Sequence, residues 1–285
     1  MHILAATDFS TRSQRAVRRA GLLARDSRAE LTLVHVVDDD QPSELVALER
    51  REAERILGEQ IGAVAELRDL PSHALVVEGD PFDGILRAAA STSADLVVMG
   101  THRKQLLRDI LVGTTIERVI RTGPVPVLMV NGEVEQAYRT ALAPVDLSEP
   151  SVNAIRTGMA LGLPGGARLA LVHAFVPLGK GQMFQAGLNQ DTIDQYVAEE
   201  RLRATKDLTA FLEANGLDEH GQPVRVVEEG GAFEVISKAV EQVKPDVLVM
   251  GTRGRSGLTR MLLGSVTEEV LRSLDIDILA VPPTR

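Results

Sequence analysis

The sequence PDVLVMGTRGRSGLTRMLLGS occupies residues 245–265, and a related sequence, ADLVVMGTHRKQLLRDILVGT, occupies residues 94–114. Each begins with a Val- and Leu-rich run that ends in Met-Gly-Thr, and each closes on a glycine followed by a hydroxyl residue. A short, continuous apolar run of this kind is typical of a strand buried on both faces of a parallel sheet. The stretch therefore predicts an α/β fold, and its recurrence predicts that the fold occurs twice.

Three more pairs of segments extend this repeat along the chain, namely 2–24 with 140–162, 29–37 with 167–175 and 125–130 with 276–281. Within each copy, short strand-like runs alternate with amphipathic helical patterns, which predicts a parallel sheet with helices on both faces. We therefore predict two tandem Rossmann-like domains, each with a five-stranded parallel sheet, at residues 1–132 and 138–285. The polar stretch 131–139 separates them.

Element boundaries in the first copy follow from periodicity. Strands are predicted at 2–6, 30–36, 73–78, 95–99 and 126–130, and helices at 11–25, 43–68, 82–91 and 114–121. Ser10 or Thr11 is expected to cap the first helix, and Asp80 the third. The second copy carries extra residues between its second and third strands, which we assign to 177–192. Within them, GKGQMF at 179–184 is interpreted as a connector, and a lid over the nucleotide is the alternative.

Composition excludes several classes of function. The formal net charge of −9 disfavours non-specific nucleic-acid binding, which requires a basic surface. Cysteine is absent, which excludes disulfides and thiolate metal sites and fits a reducing compartment. The chain enters a strand-like run without a basic leader, and no apolar run approaches the roughly 18–20 residues that span a bilayer. We therefore expect a cytoplasmic protein that binds neither nucleic acid nor membrane.

Ligands of open α/β sheets bind beyond the carboxyl ends of the strands, where the strand order reverses. The first strand of each copy ends in a carboxylate, within ATD at 6–8 and PVD at 144–146. The fourth strand of each copy ends in VMG, at 98–100 and 249–251. A ligand site is therefore expected between these strand ends.

The loop after Gly251 has the composition of an anion site. Gly254 allows close approach of the backbone, and residues 264–266 open a helix whose free N–H groups suit phosphate. Arg253, Arg255 and Arg260 lie in or beside the loop. On these residues alone, an ordinary turn with a solvated arginine face is an equally good interpretation.

The spacing Gly251-x2-Gly254-x9-Gly264-Ser265 resembles the nucleotide-binding signature of the universal stress protein family. Each copy also resembles that family in its first-strand Asp with a nearby Ser, its LVHV-type second strand and its valine-rich closing strand. The resemblance covers nearly the whole chain. It implies a tandem universal stress protein, with ATP bound at the strand ends and a regulatory rather than metabolic role.

Carried over residue by residue, the resemblance places the adenine and ribose near Asp146 and Ala174, against an apolar wall. It places the phosphates along the glycine loop and the helix start. The implied ATP-binding residues are Pro144, Val145, Asp146, Ala174, Met250, Gly251, Arg253, Gly254, Gly264, Ser265 and Val266. A magnesium ion is expected only through the phosphates and water, since this ion uses few protein ligands.

The first copy departs from the signature at Arg103, which stands where the second copy has Gly254. Its matching positions, a second candidate nucleotide site, are Asp8, Val36, Gly100, Arg103, Gly113 and Thr114. Arg103 either fills the ribose-phosphate space and abolishes binding, or its guanidinium swings outward or pairs with phosphate, and the sequence leaves these alternatives open. A backbone with positive φ at this position would also disfavour arginine.

No catalytic constellation accompanies the glycine loop, and we expect at most weak ATP hydrolysis. His35 and His173 share one strand position, where a buried histidine bonded to backbone is a better interpretation than a catalyst. The predicted function is an ATP-binding regulatory stress-response protein; the alternatives are a slow ATPase or nucleotide-transferring enzyme and a ligand-free scaffold. We expect the closing strands to pair within the chain as a pseudo-dimer, and a homodimer of chains is a further expectation.

Overall fold

The computed structural model describes residues 1–101, 114–163, 168–217, 223–254 and 263–284. The strands are β1 (His2–Ala6), β2 (Glu30–Val37), β3 (Ser72–Glu78), β4 (Leu96–Gly100), β5 (Val127–Val130), β6 (Thr140–Pro144), β7 (Arg168–Phe175), β8 (Val224–Glu229), β9 (Val247–Gly251) and β10 (Asp277–Val281). The helices are α1 (Thr11–Ser27), α2 (Ser43–Ala63), α3 (Pro81–Ser91), α4 (Thr115–Thr122), α5 (Glu149–Ala160), α6 (Lys180–Gln185), α7 (Gln190–Ala214), α8 (Ala232–Val243) and α9 (Ser265–Ser273).

Within the described ranges the strands form one ten-stranded sheet in the order β3-β2-β1-β4-β5-β10-β9-β6-β7-β8. Neighbours within each half run parallel. In each half the strand order reverses beside the first strand, so that β1 lies between β2 and β4, and β6 between β7 and β9. The predicted α/β fold with two Rossmann-like halves is confirmed.

The two halves meet through their closing strands. β5 and β10 pair antiparallel, with Leu128 opposite Leu279 and Val127 opposite Ala280. Both strands are fully buried, so joining them removes two apolar sheet edges that would otherwise be exposed. The expected pairing of the closing strands inside one chain is therefore present.

The helices cover both faces of the sheet. Buried side chains of α1, α2, α5 and α7 belong to one apolar cluster that includes residues from both halves. Buried side chains of α3, α4, α8 and α9 belong to a second cluster on the other face. Because both faces are covered, the strand sequences are continuous apolar runs rather than alternations of apolar and polar residues. Among the described helices, none is long and apolar enough to cross a membrane.

The predicted helix at 43–68 is too long, because α2 ends at Ala63. Val64 is extended, and a 3₁₀ turn follows at Ala65–Leu67. The break buries Leu67 against α1, where a Cβ atom at Gly21 would lie 2.7 Å from Leu67 Cδ1. The predicted caps are present, since Ser10 accepts from the Ser13 backbone N–H and Asp80 from Phe82 and Asp83.

The interpretation of 179–184 as a connector is wrong, and most of the segment 177–192 is helical. The segment forms α6 and the first turn of α7, which Asn189 caps by accepting from the Thr192 backbone N–H at 2.8 Å. The backbone N–H of Gly179 donates to the Tyr196 hydroxyl at 3.1 Å, and Lys180 pairs with Glu229 at 2.7 Å. These contacts with α7 and β8 order a stretch whose glycine content suggested a loop.

The stretch between the halves, residues 131–139, is fixed by arginines of α1. Arg18 donates to the Val134 carbonyl at 2.9 Å and Arg19 to the Gln136 carbonyl at 2.7 Å. Val134 and Tyr138 are buried. A segment that looks polar and loose in sequence is therefore part of the core.

Asp277, the first residue of β10, connects this stretch to the second half. Its Oδ1 accepts from the backbone N–H groups of Asn131 and Gly132, at 2.8 and 2.9 Å. Its Oδ2 accepts from the Tyr138 hydroxyl at 2.6 Å and lies 3.4 Å from Nε of the buried Arg19. Burial and the nearby Asp277 carboxylate hold the pKa of Tyr138 well above its ordinary value.

Candidate functional site

A cavity of about 330 Å³ lies at the carboxyl ends of β6 and β9, where the strand order of the second half reverses. It is lined by all the residues that the sequence assigned to ATP: Pro144, Val145, Asp146, Ala174, Met250, Gly251, Arg253, Gly254, Gly264, Ser265 and Val266. The fold thus brings together residues from the carboxyl ends of β6, β7 and β9 and from the start of α9.

Sequence reasoning missed six further lining residues, which are Ser151, Val172, Ala232, Val235, Ile236 and Thr267. Three of them belong to α8, which follows the edge strand β8. The sequence feature that could have revealed α8 as part of the cavity is the glycine pair at 230–231. It precedes this helix just as Gly79-Asp80 precedes α3 in the first copy. Gly230 has φ of 144°, so the turn into α8 requires glycine.

The carboxylate of Asp146 is held by two serines. Its Oδ1 accepts from the hydroxyl of Ser148, from the Ser148 backbone N–H at 3.2 Å and from the Ser151 hydroxyl at 2.6 Å. Leu147 between them adopts a left-handed conformation, with φ of 60°. Phe9 has the same conformation, φ of 62°, in the matching turn after Asp8. In both halves the turn directs a carboxylate toward the cavity.

Gly254 lies against that carboxylate. A Cβ atom at position 254 would be 2.8 Å from Asp146 Oδ2. Gly254 does not have a positive φ, so backbone conformation does not require glycine at this position. The close neighbour in this structure is a side chain of the protein itself.

Backbone hydrogen bonds fix the two ends of the glycine loop. Thr252 N–H donates to the Val281 carbonyl at 2.8 Å, and Gly264 N–H donates to the Thr252 carbonyl at 2.9 Å. The Thr267 hydroxyl donates to the Gly251 carbonyl at 3.0 Å. The start of α9 is therefore held against the end of β9, although the loop between them lies outside the described residues.

Three helices begin around this cavity without a side-chain cap among the described residues. The N-cap residues are Ser148 for α5, Gly231 for α8 and Gly264 for α9. Two of them have no side chain, and the hydroxyl of the third is bonded to Asp146. The first N–H groups of α8 and α9 and the positive ends of their dipoles are left available for an anion. The start of α5 offers fewer donors, because Pro150 has no N–H and the Ser151 N–H donates to the Ser148 carbonyl at 3.1 Å.

The first half has a matching cavity of about 270 Å³ at the carboxyl ends of β1 and β4. Asp8, Val36 and Gly100 line it as predicted, whereas Thr114 is not among the lining residues. Thr114 instead caps α4 by accepting from the Glu117 backbone N–H at 3.4 Å. Arg103 and Gly113 lie outside the described residues, so the predicted effect of Arg103 stays a prediction.

The helix starts around the first cavity differ from those of the second. Ser10, Asp80 and Thr114 each accept a backbone N–H from the first turn of α1, α3 and α4. These side chains occupy the donors that a bound anion would need. Asp80 also adds a negative charge, which lies 3.5 Å from Arg118.

Asp8 makes the first cavity acidic. Burial by itself raises the pKa of Asp8, but hydrogen bonds from Ser10 and Ser13 more than offset this, and the pKa lies below its ordinary value. The carboxylate is therefore ionised at neutral pH. Among the described lining residues of this cavity there is no lysine or arginine.

The two cavities also differ in whether the large side chain of a facing pair lies on the strand or on the helix. In the first half, Val36 on β2 faces Gly84 on α3, where a Cβ atom would lie 2.7 Å from a Val36 methyl carbon. In the second half the corresponding residues are Ala174 on β7 and Val235 on α8, and both line the cavity. The larger side chain thus comes from the strand in the first half and from the helix in the second.

The histidines shared by the two copies are bonded to backbone, as expected. Nδ1 of His35 lies 2.8 Å from the Thr7 carbonyl, and Nδ1 of His173 lies 2.7 Å from the Val145 carbonyl. Each connects the second strand of its half to the turn after the first strand. Among the described residues, no group of three or more acidic or histidine side chains could hold a metal ion.

The topology and the cavity at the strand-order reversal define a tandem α/β protein built from two Rossmann-like halves. The model of the universal stress protein family matches residues 1–131 and again residues 137–282. The chain therefore belongs to the universal stress protein family.

Individual relatives agree with this assignment. A universal stress protein of Mycolicibacterium smegmatis is 25% identical over 306 residues, covering 99% of this chain and 97% of the relative. A universal stress protein E homolog of Haemophilus influenzae is 26% identical over 227 residues, covering 76% of this chain and 71% of the relative.

A solved structure of a universal stress protein from Archaeoglobus fulgidus is similar in fold over 99% of this chain and 98% of its own, with a TM-score of 0.72 and 19% identity. At that identity the likeness concerns the fold alone.

Proposed function

We propose that this protein binds ATP in the cavity of its second half and acts as a regulatory stress-response protein. The observation that carries the proposal is the contrast in helix starts. Those of α5, α8 and α9 lack side-chain caps, whereas Ser10, Asp80 and Thr114 cap the matching helices of the first half. Uncapped helix starts favour a polyphosphate, and capped ones do not.

The cavity walls supply the other features that a nucleotide needs. Pro144, Val172 and Met250 provide apolar surface for a base, and Asp146 is an acceptor for ribose hydroxyls. Gly264 and Ser265 begin α9, whose N–H groups and hydroxyl suit phosphate oxygens. Arg253, which also lines the cavity, supplies a positive charge. A bound magnesium ion would be held through the phosphates, since this cation retains most of its waters.

Calorimetric titration of the full chain with Mg-ATP tests the proposal. We expect one equivalent to bind per chain, and we expect Gly254→Arg to abolish binding by filling the space beside Asp146. Gly181→Arg is the matched control, since Gly181 lies on α6, where an added Cβ atom would have no neighbour within 4 Å. Absence of heat and of a thermal shift at millimolar ATP would refute nucleotide binding.

The number of nucleotides per chain tests the asymmetry. Mass spectrometry of nucleotide released from freshly purified protein should give one equivalent, arising from the second half. Two equivalents would mean that the capped helix starts and Arg103 of the first half do not prevent binding.

A regulatory role requires that ATP is bound and not rapidly consumed. Asp146 is the carboxylate among the described residues that line the cavity, and its Oδ1 accepts hydrogen bonds from Ser148 and Ser151. Phosphate release from ATP and magnesium should therefore be slow. A sustained rate above about 1 s⁻¹, within the range of working enzymes, would contradict a binding role and favour an ATPase.

A further inference from the structure

A groove of about 570 Å³ lies between the halves, and it shares Arg253 with the neighbouring cavity of the second half. Residues 120–124 at the end of α4 form one side, and residues 282–284 after β10 form the other. Thr252 and Arg253, at the start of the glycine loop, complete the described lining. The groove therefore exists only because β5 and β10 join the two halves into one sheet.

The described lining of this groove carries two arginines, Arg121 and Arg253, and no carboxylate. This is a local excess of positive charge in a chain whose net charge is −9. Pro124, Pro282 and Pro283 contribute no backbone N–H donor, and the two guanidinium groups are the charged hydrogen-bond donors of the described lining.

Arg121 is not engaged elsewhere in the described part of the chain, where it has neither an ion pair nor a hydrogen bond. Its Nε is enclosed and lacks a partner. The corresponding residue of the second half, Arg272 on α9, is paired with Glu268 at 2.7 Å and with Glu117 at 3.5 Å. The repeat thus keeps an arginine at both positions, but only the one in the groove is left to bind a ligand.

We propose that this groove binds the phosphate group of a small ligand, held by Arg121 and Arg253. A guanidinium presents planar, paired N–H donors that match two oxygens of a phosphate, and it stays charged at every physiological pH. A phosphate also satisfies the enclosed donor of Arg121 once the side chain rotates toward it, which removes the cost of an unpaired buried polar group.

Arg253 lines both the groove and the nucleotide cavity. A phosphate bound in the groove and an ATP bound in the cavity therefore share one guanidinium. Their affinities are coupled, and the coupling factor is the same in both directions. This part of the inference rests on the proposed ATP binding, whereas phosphate binding in the groove does not.

Equilibrium dialysis of radiolabelled inorganic phosphate against the full chain tests the groove without ATP. We expect Arg121→Gln to lower the affinity of one bound phosphate at least tenfold, equivalent to about 1.4 kcal/mol. Arg272→Gln, which removes the same charge from the matching helix, should stay within twofold of the wild type. Thermal unfolding of both variants controls for loss of fold.

Two results would contradict phosphate binding in the groove. One is that the wild type binds no phosphate at millimolar concentration. The other is that Arg121→Gln binds phosphate as tightly as the wild type, which would place the anion elsewhere, including the nucleotide cavity. If phosphate binding depends on Arg121 while ATP does not bind at all, the groove stands and the proposed function fails.

Repeating the dialysis with saturating Mg-ATP measures the coupling. The wild type should bind phosphate with an affinity that ATP changes by at least about threefold, and Arg121→Gln should lose this effect. If ATP binds and leaves the Arg121-dependent phosphate affinity unchanged, the two sites are independent and the coupling through Arg253 is wrong.

Discussion

Gly254 and Asp146 lie so close that a Cβ atom on the glycine would be 2.8 Å from the carboxylate Oδ2. The two residues come from the glycine loop and from the turn after β6, and they meet only because β6 and β9 are neighbours in the sheet. The middle glycine of the loop therefore leaves room for a carboxylate of the protein as well as for a ligand. This gives Gly254 a structural requirement that is independent of backbone conformation.

Gly254→Ala should weaken ATP binding about tenfold or more, because the added methyl displaces a carboxylate that Ser148 and Ser151 hold in place. Calorimetric titration measures the effect. In an Asp146→Ala background the same change should cost little further affinity, since the clashing atom has been removed. Equal losses in both backgrounds would mean that the methyl acts on the ligand directly.

The pair of Val36 and Gly84 predicts a compensating set of mutations in the first half. Gly84→Ala places a methyl group 2.7 Å from Val36 and should destabilise the fold by about 1–3 kcal/mol through overpacking, measured by urea unfolding. Val36→Ala should restore most of this loss. Gly58→Ala on α2 has open space around it and should instead stabilise by about 0.5–1 kcal/mol, as expected for removing a helical glycine.

Asp277→Asn should destabilise the protein by about 3–5 kcal/mol, because it leaves the buried Arg19 without its countercharge. Arg19 and Asp277 are 5% and 3% exposed, so solvent cannot replace the lost partner. Urea unfolding measures the loss. Glu135→Gln, an exposed position in the stretch that Asp277 anchors, should change stability by less than about 0.5 kcal/mol. Equal effects of the two changes would contradict a role for the buried pair.

Glu66 predicts a pH dependence of stability. Burial raises the pKa of Glu66, but its hydrogen bond and ion pair with Arg18, at 2.7 Å, outweigh burial and hold the pKa below the ordinary 4.5. The unfolded chain therefore binds the proton more readily, and the stabilisation is present above pH 4.5 and lost as the pH falls through the lower folded pKa. Glu66→Gln should lose less free energy of unfolding than the wild type as the pH falls through that range, measured by urea unfolding at each pH. An equal loss in the variant and the wild type would contradict the assignment to Glu66.

The sequence predicted the parts of this protein that depend on local pattern and on repetition. Valine- and leucine-rich runs identified the strands, and self-similarity identified the two halves. Ser10 and Asp80 were recognisable as caps because capping depends on residues within one turn of the helix. The residues around the second cavity could be named because strand ends in a parallel sheet converge on one edge.

Tertiary packing decided the features that sequence reasoning got wrong or missed. α2 ends at Ala63 because Leu67 packs on α1, and α6 forms because Tyr196 and Glu229 hold its start. The stretch at 131–139 is fixed by arginines located more than a hundred residues earlier in the sequence.

By itself, then, the sequence determined an α/β fold present twice, with a carboxylate and a glycine at matching strand ends. The tertiary structure decided that the two sheets become one, that a groove with two arginines opens between the halves, and that Gly254 faces Asp146. The physical reason is that propensity and periodicity act over a few neighbouring residues. The distance between two side chains from separate elements depends instead on how those elements pack, which only the folded chain defines.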